Sequence, residues 1–433
     1  MLNNKRENMI PFNMTEPPVR VPSYLQPLIL GASYIMTRPL KLKISRRGMD
    51  KLTGPFLVLS MHQGFSDYYI APLALRSYRP NYISDMEGFA AFGKWIYRNI
   101  GCIGKRRYVP DVTVLQNIGK CFEEGRPVVI FPESRHSNVG TTPLIPNNMG
   151  RLAKHLAKRY NTPLVILSIH GSYLTNPFWD EEHTRRGRIT AEISPLFTAE
   201  ELLSLDESFL QQAIENALCY DEYAWQEENK IAFTGKNLAD GLHLPLYKCC
   251  SCGSKYTMIS HDDRLGCKKC RKVWKLSPYG RLYDSEKNIY SIVDWYNNER
   301  TSAEKELCDQ LKDNSLIKSF NVRIEALPNE YGFVKLGDGH LTFNSDSFLL
   351  EFRPKKKYNY TPTDWEFGKD NSVTIRFPHK TRDSLQTEYN YRGRGPAIVL
   401  SSPDMCYYLY SDDKDFNPTE LQFMAEYLSS QKL

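Results

Sequence analysis

Between residues 21 and 240, short apolar runs rich in Val, Ile and Leu alternate with helically spaced segments, a pattern few folds other than an α/β domain accommodate. Leu40–Ser45, Phe56–Ser60, Pro127–Phe131 and Leu164–Ile169 have the length and branching of buried strands. Tyr68–Arg76, Phe89–Ile100, Val112–Glu124 and Met149–Arg159 between them carry helical spacing. Strands separated by helices cannot pair as hairpins, so a mostly parallel central sheet flanked by helices is expected.

A chain of 433 residues exceeds one ordinary core, and its text changes character along its length. Residues 1–20 are polar and Pro-rich and read as a flexible arm, and 21–240 form the α/β unit. Within that unit Thr198-Ala-Glu-Glu201 is a capping-box start, and Ser208 to Glu228 continues helically. Paired cysteines mark 241–285, a connecting helix is expected within 286–315, and 316–433 turns β-rich. Ser319–Ala326, Tyr331–Leu336, Ser347–Phe352, Ser372–Phe377 and Cys406–Ser411 read as its strands. Asn417-Pro-Thr-Glu420 then opens a last helix with Leu421, Met424 and Leu428 on one face. Strands closed by such a helix resemble a pleckstrin-homology-like or GRAM-like module in topology.

Four segments carry candidate chemistry. Met61-His62-Gln-Gly-Phe-Ser-Asp67 follows the strand Phe56–Ser60. An imidazole can take a hydroxyl proton near neutral pH, and a carboxylate on its other nitrogen fixes the tautomer and stabilises the imidazolium. Gly101-Cys-Ile103-Gly-Lys-Arg-Arg107, Phe131-Pro-Glu133-Ser-Arg-His-Ser137 and Thr162-Pro163-Leu-Val-Ile-Leu-Ser-Ile-His-Gly171 come next, in that order. Each alone also reads as a turn beside a solvated charge.

Together the four resemble the ordered blocks of the glycerolipid acyltransferase superfamily, lysophosphatidate acyltransferases included, over about residues 38–235. Leu40-Lys-Leu-Lys-Ile-Ser45 leading to Gly54-Pro-Phe-Leu-Val-Leu-Ser60 is similar to the approach to its first block. Met149-Gly-Arg-Leu-Ala-Lys-His155 is similar to the helix between its third and fourth. The resemblance implies His62 and Asp67 as the catalytic pair and Arg107 and Glu133 as holders of the acceptor's polar head. Gly101 belongs to the same binding block, and Lys105 adds a neighbouring cation. It also implies acyl-CoA or acyl-carrier protein as donor, a lysophospholipid acceptor, and no catalytic cofactor. A thiolate leaving group, with a pKa near ~8.5, needs little acid assistance, so no serine nucleophile is required. Three departures stand out. Met61 and Gly64 replace the family's Asn and Ser around the His, and Ser134 replaces a Gly. Asn81–Gly93 holds Asp85 where a lysine is common.

Cys249, Cys252, Cys267 and Cys270 form two Cys-x-x-Cys knuckles with 14 residues between the inner pair, the spacing of a zinc ribbon. Four thiolates close the coordination sphere, so a structural Zn2+ and a hinge role between modules are expected. Lys268, Lys269, Arg271, Lys272 and Lys275 read as a solvated face or a headgroup patch, and nucleic acid is not expected as a partner.

The net charge of +6 suits an anionic surface without demanding nucleic acid. No apolar stretch reaches the ~20 residues that span a bilayer. No secretory signal is read at the N-terminus, and scattered cysteines suit a reducing compartment. Leu25, Leu28, Ile29 and Tyr34 can share a helix face beside Arg38, Lys41, Lys43, Arg46, Arg47 and Lys51. The expectation is a cytoplasmic enzyme peripheral on the inner face of the cell membrane. The alternatives are a non-catalytic lipid-binding scaffold and a zinc-ribbon nucleic-acid binder.

Overall fold

The computed structural model describes residues 8–180, 182–313 and 317–431, so residues 1–7 of the expected arm and the expected junction near 315 lie outside it. The alternating segment builds one seven-stranded sheet. Its strands are β1 (Lys43–Arg46), β2 (Leu57–Ser60), β3 (Asn81–Ser84), β4 (Cys102–Gly104), β5 (Val128–Ile130), β6 (Leu164–His170) and β7 (Thr190–Phe197). They lie in the order β1-β7-β6-β2-β5-β3-β4, and every neighbouring pair is parallel except β6–β7. Side chains alternate between two cores. Leu57, Leu59, Val128, Leu164 and Ile166 pack on one face, and Val58, Val129, Val165 and Leu167 on the other.

This register places the motifs. Leu59 pairs with Ile130, so the chain leaves β2 and β5 side by side and residues 61–67 meet 131–137. Ser84 pairs with Gly104, which brings Asp85 beside residues 105–107. All these strands end on one side, and crevices at carboxyl ends of parallel strands are where such sheets bind ligands.

Several expected elements differ. The helix expected over Phe89–Ile100 is two, Met86–Phe92 and Lys94–Asn99, because Gly93 sits at φ +82°. Ser208–Glu228 divides into Glu207–Leu218 and Glu222–Asn229, where the chain turns back to let Glu222 N–H donate to Gly140 O. The first strand begins at Lys43, after Lys41 takes a left-handed conformation.

The cysteine segment carries β8 (Met258–His261), β9 (Arg264–Cys267), β10 (Val273–Leu276), β11 (Arg281–Tyr283) and β12 (Ile289–Ser291) in a five-stranded antiparallel sheet. Ser291 caps the helix Ile292–Lys312. Beyond it lie β13 (Ile317–Leu327), β14 (Val334–Asn344), β15 (Ser347–Phe352), β16 (Glu366–Phe367), β17 (Val373–Pro378), β18 (Gln386–Glu388), β19 (Ala397–Ser401) and β20 (Cys406–Tyr410). Their antiparallel order is β16-β17-β15-β14-β13-β20-β19-β18. Leu421, Met424 and Leu428 of the last helix, Pro418–Ser430, enter its core.

Two expectations about module independence are corrected. The described part of the arm is pinned, not loose. Met9 is buried in the β-rich core, Phe12 packs on Phe89 with centroids 4.9 Å apart, and Phe12 N–H donates to Pro328 O. Nor is the cysteine segment a hinge. Cys249, Trp274 and Leu282 share one apolar cluster with Tyr173 and Trp179 of the α/β unit and with Trp295 of the connecting helix. A continuous close-packed core transmits position rather than permitting rotation.

Candidate active site

His62 and Asp67 meet in the turn after β2. His62 Nδ1 lies 3.3 Å from Asp67 Oδ2, and the carboxylate is fully buried at the start of the helix Asp67–Ala74. A buried carboxylate needs donors. Asp67 Oδ2 also accepts from the backbone N–H of Gln63 (2.6 Å) and Gly64 (3.0 Å), and Oδ1 accepts from Ser172 Oγ (2.6 Å). Ser172 Oγ in turn lies 2.7 Å from Ser66 Oγ. Because an ionised carboxylate only accepts, the imidazole proton sits on Nδ1 and Nε2 carries the free lone pair. A side chain at Gly64 would press on Ser172 at 3.3 Å, so glycine here leaves room for the hydroxyl that serves the carboxylate.

The backbone of the turn is held from below. Glu133 Oε1 accepts from His62 N–H (2.9 Å), and Oε2 accepts from Tyr220 Oη (3.0 Å). Burial raises the Glu133 carboxyl to about 8. Glu133 therefore does not face the cavity, contrary to the expected contact with an acceptor. A second buried acid, Glu222, gathers Gln63 Nε2 (2.9 Å), His170 Nδ1 (2.9 Å) and Gly171 N–H (2.5 Å), tying the first block to the fourth. Ser134 adopts φ +57°, the conformation a glycine would favour, so the substitution leaves the turn left-handed. His136 packs on His62 with ring centroids 4.2 Å apart, and burial pushes its pKa well down, keeping it neutral.

His62 lines a cavity of about 420 Å³. Its apolar wall includes Val114, Leu115 and Ile118 on the helix Val112–Glu123 and Met149 and Leu152 on the helix Met149–Tyr160. Asp85, Lys105, Arg107 and Asp111 line the polar side. Arg107 is already engaged: its guanidinium bonds to Asp85, and Glu87 lies 4.0 Å away. Asp85 thus answers the Arg107 charge instead of adding to a cationic pocket. Lys105 Nζ donates to Arg106 O (3.2 Å) and Val109 O (3.1 Å), leaving one N–H of three. Gly101 is not among the lining residues. It turns at φ +95° beneath the sheet, where a side chain would strike Pro80 O at 2.7 Å. Thr381, Arg382 and Asp383, from the turn after β17, close the cavity from the C-terminal region.

The four cysteines converge. Cys249 and Cys270 sulfurs lie 3.7 Å apart, Cys252 and Cys267 lie 3.8 Å apart, and all four fall within 4.8 Å of one another. A tetrahedral site with metal–sulfur bonds of about 2.3 Å has edges of about 3.8 Å, so this donor set fits a structural metal. Gly253 takes φ +70° after the first knuckle, and its N–H donates to Cys249 O.

The helix Gln26–Thr37 is inverted. It buries Ser33 and Thr37 and turns Leu28 (66% exposed), Tyr34 (62%) and Ile35 (70%) outward. Gln26 Nε2 donates to Arg76 O and Tyr78 O, so the helix lies along Asp67–Ala74. Among the described residues no helix is long and apolar enough to cross a membrane.

Sequence reasoning missed Ser172, Tyr220, Glu222 and Arg382. Ser172 directly follows the fourth block. Asp221, which accepts from Tyr223 N–H and Ala224 N–H, was a legible helix start pointing to Glu222.

A family model described as Acyltransferase matches residues 43–173. Comparison with curated protein sequences finds no match. Among solved structures, the crystal structure of the 1-acyl-sn-glycerophosphate (LPA) acyltransferase PlsC from Thermotoga maritima is similar at 19% identity. Its TM-score is 0.38, over 48% of this chain and 80% of that one.

Proposed function

We propose that this protein, whose residues 43–173 match the acyltransferase family model, moves a fatty acyl group from acyl-CoA or acyl-carrier protein onto the hydroxyl of a lyso-glycerolipid at a membrane surface. The observation that carries the reading is the His62 Nδ1–Asp67 contact of 3.3 Å at the wall of a cavity with an apolar side. The acceptor hydroxyl gives its proton to His62 Nε2 as its oxygen attacks the thioester carbonyl. Asp67 stabilises the resulting imidazolium. The tetrahedral intermediate then expels the thiolate, which takes the proton back from the imidazolium, so no group remains altered. Val114, Leu115, Ile118, Met149 and Leu152 suit an acyl chain, and the remaining Lys105 N–H suits an oxygen of the acceptor head.

The outward apolar face of Gln26–Thr37, followed by exposed Arg38, Lys41 and Lys43, supports docking on an anionic bilayer. The inner face of the cell membrane would provide it. The four-cysteine cluster would hold Zn2+ as a structural ion.

Purified full-length protein, given fatty acyl thioesters and lyso-lipids in mixed vesicles, tests this. Transfer is expected and is lost in His62→Ala and in Asp67→Ala, each keeping its circular dichroism. An unchanged rate in His62→Ala would overturn the reading.

A further inference from the structure

The cavity that His62 lines has three cations on its wall, and they are not equivalent. Arg107 is bonded to Asp85, with Glu87 nearby, and Lys105 spends two of its three N–H groups on carbonyls. Arg382 comes from a different module. It follows the short turn His379–Thr381, and Ser429 Oγ on the last helix donates to its carbonyl at 2.7 Å. The residue is only 8% exposed, yet among the described residues its guanidinium makes one long hydrogen bond, from Nη2 to Ser401 O at 3.4 Å, above the Phe377 ring. Its Nε has no partner among the described residues. Burial draws its pKa down to about 10.

A guanidinium taken out of water without a counter-charge is unfavourable in the free protein. Such a group makes physical sense where a ligand completes it, and a planar fork with unspent donors matches a phosphate oxygen pair. We propose that Arg382 is the phosphate-binding residue of the active-site cavity, so that the C-terminal β-rich region completes the acyltransferase site and sets its choice of substrate. This rests on the function proposed above. A phosphate can arrive on the lipid acceptor or on a phosphopantetheine-bearing donor. The recognised chemistry is the same in both cases.

The test uses the full-length protein and its Arg382→Ala, Arg382→Lys and Arg382→Met variants. KM is measured for a lysophosphatidate acceptor, for its dephosphorylated monoacylglycerol, for fatty acyl-CoA and for a phosphate-free acyl thioester of N-acetylcysteamine. Arg382→Ala is expected to raise the KM of a phosphate-bearing substrate by about 10- to 100-fold with much less effect on kcat, and Arg382→Lys recovers part of the loss. A rise for lysophosphatidate and not for monoacylglycerol assigns the phosphate to the acceptor. A rise for acyl-CoA and not for the N-acetylcysteamine thioester assigns it to the donor. Unchanged KM for both phosphate-bearing substrates overturns the proposal.

Calorimetric binding of hexadecyl phosphate reads the site without turnover. If no acyl transfer occurs, the functional reading fails, and this arm still decides the role of Arg382. Equal affinity in wild type and Arg382→Ala counts against it, and a loss of about tenfold or more supports it. Arg382→Met should melt no lower than wild type, because an uncompensated buried charge is removed. A fall in melting temperature with KM and binding unchanged would make Arg382 a structural residue and overturn the proposal.

Discussion

The His62 turn and the four-cysteine cluster are both polar centres inside a packed chain, but they are held in opposite ways. The cysteines are fixed by two tight local turns, with Cys249, Cys252, Cys267 and Cys270 inside one short stretch. The His62 turn is fixed from far away in sequence. Ser172 reaches Asp67, Glu133 holds the His62 amide, Tyr220 holds Glu133, and Glu222 joins Gln63 to Gly171. A local centre can form wherever its ligand is present. A distributed one exists only when the whole sheet is in register, so a base built this way is positioned by global folding.

The largest effect that sharpens this contrast is on the cysteines. Structural metal sites of this kind contribute on the order of 10 kcal/mol of apparent binding free energy. Because Cys249 shares a core with Tyr173 and Tyr223, chelation or Cys249→Ser should lower the melting temperature of the whole protein and take acyl transfer with it. A melt insensitive to chelator would break the comparison from the metal side.

Glu222 tests the other side. Glu222→Ala leaves the Gln63, His170 and Gly171 donors unpaired in a buried place, which should destabilise by roughly 3–5 kcal/mol. Activity is expected to fall at least as steeply as folded population, read by calorimetry beside the rate. Loss of stability with full activity per folded molecule would show that the turn does not depend on this distant acid.

Glu133 makes the dependence visible in pH. Its folded carboxyl value is raised from 4.5 to about 8 by burial, so its contribution is complete below 4.5 and is lost as pH climbs through about 8. Stability should decline over that window by a few kcal/mol at most, and Glu133→Gln should flatten the decline. A wild-type melting curve independent of pH across it would contradict the burial argument. The smallest effect is at Ser134, where relieving a left-handed residue with Ser134→Gly should stabilise by about 1 kcal/mol in denaturant titrations.

The same contrast explains what the sequence disclosed. Blocks written as continuous text, such as residues 61–67 and 249–252, were legible because their spacing is the chemistry. The strands β3, reading Asn-Tyr-Ile-Ser, and β4, reading Cys-Ile-Gly, lack the Val, Ile and Leu density that marks the equally short β2 and β5. β7 was hidden by Pro195, which the fold accommodates at an irregularity in its pairing with β6. Residues 1–20 looked unanchored because their few apolar letters stand among polar residues and prolines, yet Met9 packs in the β-rich core and Phe12 on Phe89. Nothing in the text around Thr381–Asp383 announces that they line the same cavity as His62. Arg107 was legible as a cation and not as a paired one, since its partner depends on Ser84 standing opposite Gly104.

Turnover numbers of His62→Ala, Asp67→Asn and the double variant test most directly whether imidazole and carboxylate act as one unit. With the carboxylate working only through the ring, the double variant should be no slower than His62→Ala, each loss lying in the range of about 100- to 10,000-fold. Losses that multiply, so that removing Asp67 slows an enzyme already lacking His62 as much as it slows the wild type, would contradict the account.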